Sequence, residues 1–184
     1  MAQDGHHGLV CRKSAGRHRR HALANDILIR AIRFIEVHAE LEPPRLFSSD
    51  GKRPDGATLD PWWRVQYLVW DFTCPDTLVP SHVIASGSAA DAAASNAETA
   101  KCVKYAELSA TGMYLFYPVA IETLGSWGPS ASELCREIGA RIQARTGDQR
   151  STAFLRQRLA VAIQRGNAAA ISGTCPIGDN DHLL

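Results

Sequence analysis

Hydrophobic positions change period several times along the chain. Leu23, Ile27, Leu28, Ala31, Ile32 and Ile35 recur at helical spacing, which predicts an amphipathic helix over 21–38. The preceding residues 1–20 are polar, rich in Gly, His and Arg, and aperiodic, so a loop or small ordered knuckle is expected there. "LEPPRLF" cannot prolong the helix, because its two prolines remove donors and fix φ, and Glu42 is therefore placed at the start of an extended segment. "SSDGKRPDG" is turn chemistry. "ATL" and "VQYLVWDFTC" then read as strands, the second rich in β-branched and aromatic residues. A stretch from about 88 to 109 is Ala-rich without Pro or Gly, which predicts one helix carrying Lys101, Lys104 and Tyr105, ended by Gly112. "MYLFYPVAIET" is apolar enough for a strand inside a sheet. Helices over about 129–145, opened by Gly128-Pro129, and about 151–165, stopped by Gly166, complete the pattern. Residues 174–184 are expected to form a disordered tail. The predicted order is helix–strand–strand–strand–helix–strand with C-terminal helices, a small α/β domain over 21–173.

Composition narrows this picture only a little. The 184 residues suit one domain with a real core, and a net charge of +1 supplies no global attraction for nucleic acid. The distribution is less even. Arg12, Lys13, Arg17, Arg19 and Arg20 form one basic cluster without an acid; seven arginines between Arg136 and Arg165 face only Glu137 and Asp148. Each cluster suits either a local anionic partner or a solvated basic face. Five scattered cysteines do not suggest a disulfide framework, and no apolar run approaches the ~20 residues of a membrane helix. An intracellular protein with no membrane partner is expected.

One acid stands inside an apolar strand. If 65–73 is extended, Val65, Tyr67, Val69, Asp71 and Thr73 share one face and Gln66, Leu68, Trp70 and Phe72 the other. Burying an unpaired carboxylate costs on the order of several kcal/mol, so Asp71 must end the strand, meet a cation or hold a metal. Pro54-Asp55-Gly56 is by itself an ordinary turn, and Glu42 by itself says little. If their strands are neighbours, however, Glu42, Asp55 and Asp71 converge as the oxygen-rich cage that Mg²⁺ or Mn²⁺ prefers. Such a site beside a phosphodiester does Lewis-acid and water-activating work.

Pro54-Asp55 followed by Asp71-Phe72-Thr73, within that order of elements, resembles the PD-(D/E)XK nuclease superfamily, with a restriction-endonuclease-like α/β core. The match departs at Thr73, where the superfamily carries a water-orienting lysine. Several of its branches supply that lysine from the next helix, where this chain has Lys101 and Lys104 on neighbouring positions of one face. A narrower likeness runs over about 5–173. "GHHGLVCRKSAGRHRRHALANDI", "GKRPDGATL", "LVWDFTCPDTL", "AETAKCVKYAEL", "PVAIETLGSWGP" and "QRLAVAIQRGNAA" are similar to the restriction-enzyme-like endonuclease region downstream of reverse transcriptase in non-LTR retrotransposons. That resemblance implies a catalytic set of Arg53, Asp55, Asp71, Lys101, Lys104 and Tyr105. It also implies a zinc knuckle just before the nuclease, of which His7 and Cys11 would be a remnant; two ligands fall short of the four of structural zinc. His18 and His21 are two further donors, but a truncated knuckle without zinc is the reading adopted.

The expected activity is therefore metal-dependent nicking of DNA, with RNA as a second nucleic-acid partner and a nuclear location. Glu42, Asp55 and Asp71 would hold Mg²⁺ or Mn²⁺, and Lys101 or Lys104 would position water. Arg17, Arg19, Arg20, Arg53 and the C-terminal arginines would grip the backbone. A catalytically inactive nucleic-acid-binding remnant is the alternative, and a small α/β interaction domain the third. No polymerase motif occurs in the chain. Trp62 and Trp63 suit either base stacking or core capping, Glu122 either a further ligand or an arginine partner, and His38 and His82 the surface.

Overall fold

A computed structural model describes residues 9, 15–44, 46, 53–78 and 89–173, with the side chains of 15–17 outside that set. His7, Cys11, His82 and the tail at 174–184 lie outside the described residues. The elements are α1 (Ala15–Phe34), β1 (Ala39–Leu41), β2 (Gly56–Thr58), β3 (Tyr67–Thr73), α2 (Ala92–Lys104), α3 (Ala106–Ala110), β4 (Tyr114–Ala120), α4 (Pro129–Thr146) and α5 (Ser151–Ser172). One sheet carries the strands in the order β1-β2-β3-β4. The first three run antiparallel, as short connections allow, and β4 pairs parallel to β3, which requires the crossover that α2 and α3 supply.

The alternation along β3 sets the two layers. Leu68, Trp70 and Phe72 face the main core, with Val119 and Ile121 beside them and the buried stripe Ala24, Leu28 and Ile32 of α1 above. Leu134 and Ile138 of α4 and Leu159 and Ile163 of α5 complete that layer. On the opposite face Val69 packs with Ala57 and Leu108 in a smaller cluster. Asp71 shares this second face, under α2 and α3.

Four expectations need correction. The first helix begins at Ala15 rather than His21, because its polar first turns are held by tertiary contacts and not by an apolar stripe. Arg20 is buried between α1 and α5; it donates to Asn167 Oδ1 at 2.8 Å and to the Leu9 carbonyl at 3.0 Å. Gly166 does not stop α5, which runs on to Ser172; a Cβ at 166 would collide with Arg20 Cγ, so this glycine admits the arginine. The helix expected over 88–109 starts at Ala92 and breaks at Tyr105, where ψ is 19°. Glu42 follows β1 instead of opening a strand, and its φ is 49°.

Two buried acids tie the helices to the sheet without arginines. Glu98 of α2 accepts N–H bonds from Ser130 at 3.0 Å and Ala131 at 2.9 Å, filling the role of an N-cap for α4. Burial pushes its carboxyl above the usual range, against the pull of those N–H donors. Glu122, fully buried beyond β4, takes the Ala94 N–H at 3.0 Å in the first turn of α2. Among the described residues its partner is thus this helix N–H and not an arginine. Among the described residues no helix is long and apolar enough to cross a membrane.

Gly56 lies against the Trp70 indole, and a methyl group there would overlap the ring. Gly56→Ala is expected to destabilise the fold by about 1–3 kcal/mol, the cost of overpacking a filled site, read from the urea unfolding midpoint.

Candidate functional site around Asp55 and Asp71

Asp71 is 4% exposed at its side chain, yet it is not isolated. Lys101 Nζ of α2 lies 2.5 Å from Oδ1, and the Tyr105 hydroxyl lies 2.5 Å from Oδ2. Lys104 Nζ stands 4.0 Å from Oδ2 and donates to the Tyr105 oxygen at 2.8 Å. Tyr105 has one phenolic proton; the short contact gives it to the carboxylate, with the Arg53 carbonyl 3.1 Å from the same oxygen. The ring of Tyr105 is wholly buried on Phe116, at 4.7 Å between centroids. Tyr105 still donates its N–H to the Lys101 carbonyl at 3.0 Å and lies one turn beyond it on the same face, and the crossover helix changes course at this residue, where φ is −109° and ψ 19°.

Asp55 arrives from the neighbouring chain segment. Its N–H donates to the Trp70 carbonyl at 3.1 Å and its own carbonyl accepts from Glu42 N–H at 2.9 Å, so residue 55 extends the strand pairing just ahead of β2. Its Oδ2 accepts the Phe72 N–H at 2.6 Å. Both carboxylates thus flank the Asp71–Phe72 peptide. His21 of α1, with Nε2 2.9 Å from Asp55 Oδ2, closes the site from the other side, its ring edge against Phe72 at 5.8 Å. The hydrogen bond to Asp55 pushes the His21 imidazole above its ordinary pKa, with the charges of Asp55 and Asp71 acting the same way and burial and Lys101 against it.

The structure therefore brings Asp55, Asp71, Lys101, Lys104, Tyr105 and the backbone of Arg53 together. It adds His21, whose role no spacing in the sequence announces, since only the packing of α1 over Phe72 puts it there. Other expected residues are placed elsewhere. Glu42 turns its 70%-exposed carboxylate to the Arg53 guanidinium at 3.3 Å, not to Asp71. Arg20 is buried and cannot meet a phosphate, whereas Arg19 is exposed on α1; the Arg17 side chain lies outside the described residues. Most C-terminal arginines are also committed internally. Arg141 stacks on Trp62 at 3.8 Å, Arg145 pairs with Glu36 at 2.8 Å, Arg150 with Asp148 at 3.4 Å, and Arg156 lies over Trp127 at 4.6 Å. The two adjacent tryptophans divide the roles expected of them: Trp62 caps the core and Trp63 is 58% exposed.

Among the described residues no group of three or more His, Cys, Asp and Glu is arranged to hold a metal ion. The donor chemistry nevertheless suits a hard cation at Asp55 and Asp71 together, with water completing the shell. Lys101 already occupies Asp71 Oδ1 and is the group such a cation has to displace. No protein-family model and no curated protein sequence matches the chain significantly.

Removing the Lys101 ammonium leaves a nearly buried carboxylate with one hydroxyl and a more distant lysine. Lys101→Met is expected to cost about 1–3 kcal/mol, less than the roughly 3–5 of a fully buried pair, because Lys101 itself is 25% exposed. A cycle with Asp71→Asn, measured by urea denaturation in EDTA, should give a coupling of at least about 0.5 kcal/mol. Additive effects would show that the contact does not stabilise the fold.

Proposed function

We propose that the chain is a metal-dependent DNA endonuclease domain of the restriction-enzyme-like kind associated with retrotransposon reverse transcriptases, hydrolysing one phosphodiester bond to leave a nick. The observation that carries this reading is the meeting of Asp55, Asp71 and Lys101 at one peptide of β3, from three separate parts of the chain. Their order of supply, with the lysine coming from the crossover helix, answers the departure at Thr73. An ammonium beside the acids is present, although the strand does not provide it.

Asp55 and Asp71 would hold Mg²⁺ or Mn²⁺, which when bound supplies Lewis-acid polarisation of the phosphate and a more acidic water. The protein's own groups do the rest. Tyr105 fixes the Asp71 carboxylate through Oδ2, so that its orientation survives release of Oδ1 by Lys101. The freed Lys101 ammonium, with Lys104 beside it, positions the attacking water and offsets charge growing on the phosphoryl oxygens. Water adds to phosphorus in line and loses a proton to solvent, the bond to O3′ breaks with its electron pair on oxygen, and O3′ takes a proton from solvent to become the terminal hydroxyl of the nick. Arg53 and Arg19, both exposed, would contact flanking phosphates, and among the described residues Arg53 has the exposed Glu42 to release.

A second reading is favoured by one observation: both oxygens of Asp71 are already engaged by protein donors. In that case the same surface binds nucleic acid without cutting it.

Purified protein incubated with supercoiled plasmid and Mn²⁺ separates the two. Nicking that falls about 100-fold or more in Asp71→Ala and Lys101→Met, the scale of losing a group that acts in the transition state, supports the nuclease. Absence of nicking, or nicking unchanged in Asp71→Ala, overturns it. A gel shift that weakens with salt in such a protein then marks the inactive nucleic-acid-binding form.

A further inference from the structure

We infer that His21 is a positioning residue for Asp55, held in a single tautomer by a hydrogen-bond chain that begins at the buried indole of Trp70 and passes through Asn25. Its consequence for catalysis rests on the nuclease reading, whereas the chain itself does not.

Donor rules fix each link in turn. Trp70 is fully buried, and its indole nitrogen only donates. The Asn25 atom 3.0 Å from it is therefore the amide oxygen, which determines which way the Asn25 amide faces. The Asn25 nitrogen then points to His21 Nδ1 at 3.3 Å, four residues back along α1. An amide NH₂ can only donate, so Nδ1 accepts and the proton of the neutral ring sits on Nε2. Nε2–H donates in turn to Asp55 Oδ2 at 2.9 Å. Protonation at Nδ1 would set N–H against N–H, so the Asn25 amide opposes the proton that Asp55 draws toward the ring.

The same Asp55 oxygen also accepts the Phe72 N–H at 2.6 Å. Two donors on Oδ2 lock the carboxylate torsion and leave Oδ1 as the oxygen that has no hydrogen-bond donor among the described residues. Oδ1 is then the atom Asp55 presents to a cation. Outer partners of this kind orient ligating groups in metal sites. Here the support runs from β3 through α1 to the segment before β2, so a core side chain sets the angle of a carboxylate at the surface. Truncating His21, whose side chain is 47% exposed, tests the link without opening the core.

Long-range ¹⁵N–¹H correlation of histidine-labelled protein, at about pH 9 to keep the ring neutral, reports the tautomer directly. Protonated Nε2 and unprotonated Nδ1 at His21 are expected; the reverse pattern, or an average of the two, overturns the inference. Asn25→Asp replaces the donor with an acceptor and should draw a proton to Nδ1, and an unchanged spectrum also overturns it. His21→Ala should weaken Mn²⁺ binding, followed by calorimetry, and nicking by roughly tenfold or more, with His21→Gln recovering much of both because its amide can still donate to Oδ2. Equal loss in the two variants, with melting curves showing both folded, would mean that the donated hydrogen bond is irrelevant. Wild-type protein that shows the expected tautomer but neither binds Mn²⁺ nor nicks DNA sinks the nuclease reading and leaves the relay standing.

Discussion

The neutralisation of Asp71 is the constraint on which the second layer of this protein depends. A carboxylate placed mid-sheet, on the face where Val69 and Phe116 pack, loses its water and must be given donors within a few ångströms. β3 has no cation to offer, since the flanking positions on that face are Val69 and Thr73. The donors must come from the crossover. Lys101 reaches Oδ1 and Tyr105, one turn later on the same face, reaches Oδ2. One buried charge thus gathers the last turn of α2 onto the sheet, with Lys104 above the tyrosine ring at 4.5 Å.

Much of this was readable beforehand, for a physical reason. Alternation along a strand is a local property, so Asp71 could be assigned to a face, and a buried acid demands a partner whatever the fold. The spacing of Lys101 and Lys104 on a helix is equally local. The meeting of Asp55 with Asp71 and the lysines was expected from the resemblance, whereas other contacts between distant segments escaped. Arg20 sits in a run of basic residues that looks like a phosphate grip, but Gly166, 146 positions away, opens a slot that buries it. The same glycine looked like a helix stop because sequence shows its backbone freedom and hides its missing side chain. Tyr105 looked like an ordinary helical residue, since nothing around it signals a break. His21 and Asn25 lie at helical spacing among many such pairs, and only the packing of α1 on Trp70 and Phe72 distinguishes them.

Charge is used sparingly at the surface as a consequence. Arginines that the sequence offers as a basic face are spent on Trp62, Glu36, Asp148 and Trp127, where guanidinium stacking and short ion pairs fasten α4 and α5 to their neighbours. Among the described residues near the carboxylates, Lys104 and Arg53 are exposed cations, with Arg19 exposed on α1.

The two aspartates are supported differently, and the difference bears on what the site can do. Asp71 is held by a lysine and a phenol that satisfy both oxygens, which is the arrangement of a stabilised ion pair. Asp55 is held by two N–H groups on one oxygen, which orients it and leaves the other available. Asp55, at 15% exposure, is also largely removed from water, and its two N–H donors offset that burial. Desolvation alone asks only for donors; it does not require both to fall on one oxygen. Under the proposed function, that asymmetry gives a cation one oriented carboxylate with an oxygen free of donors among the described residues, beside a pair that has to part to offer another.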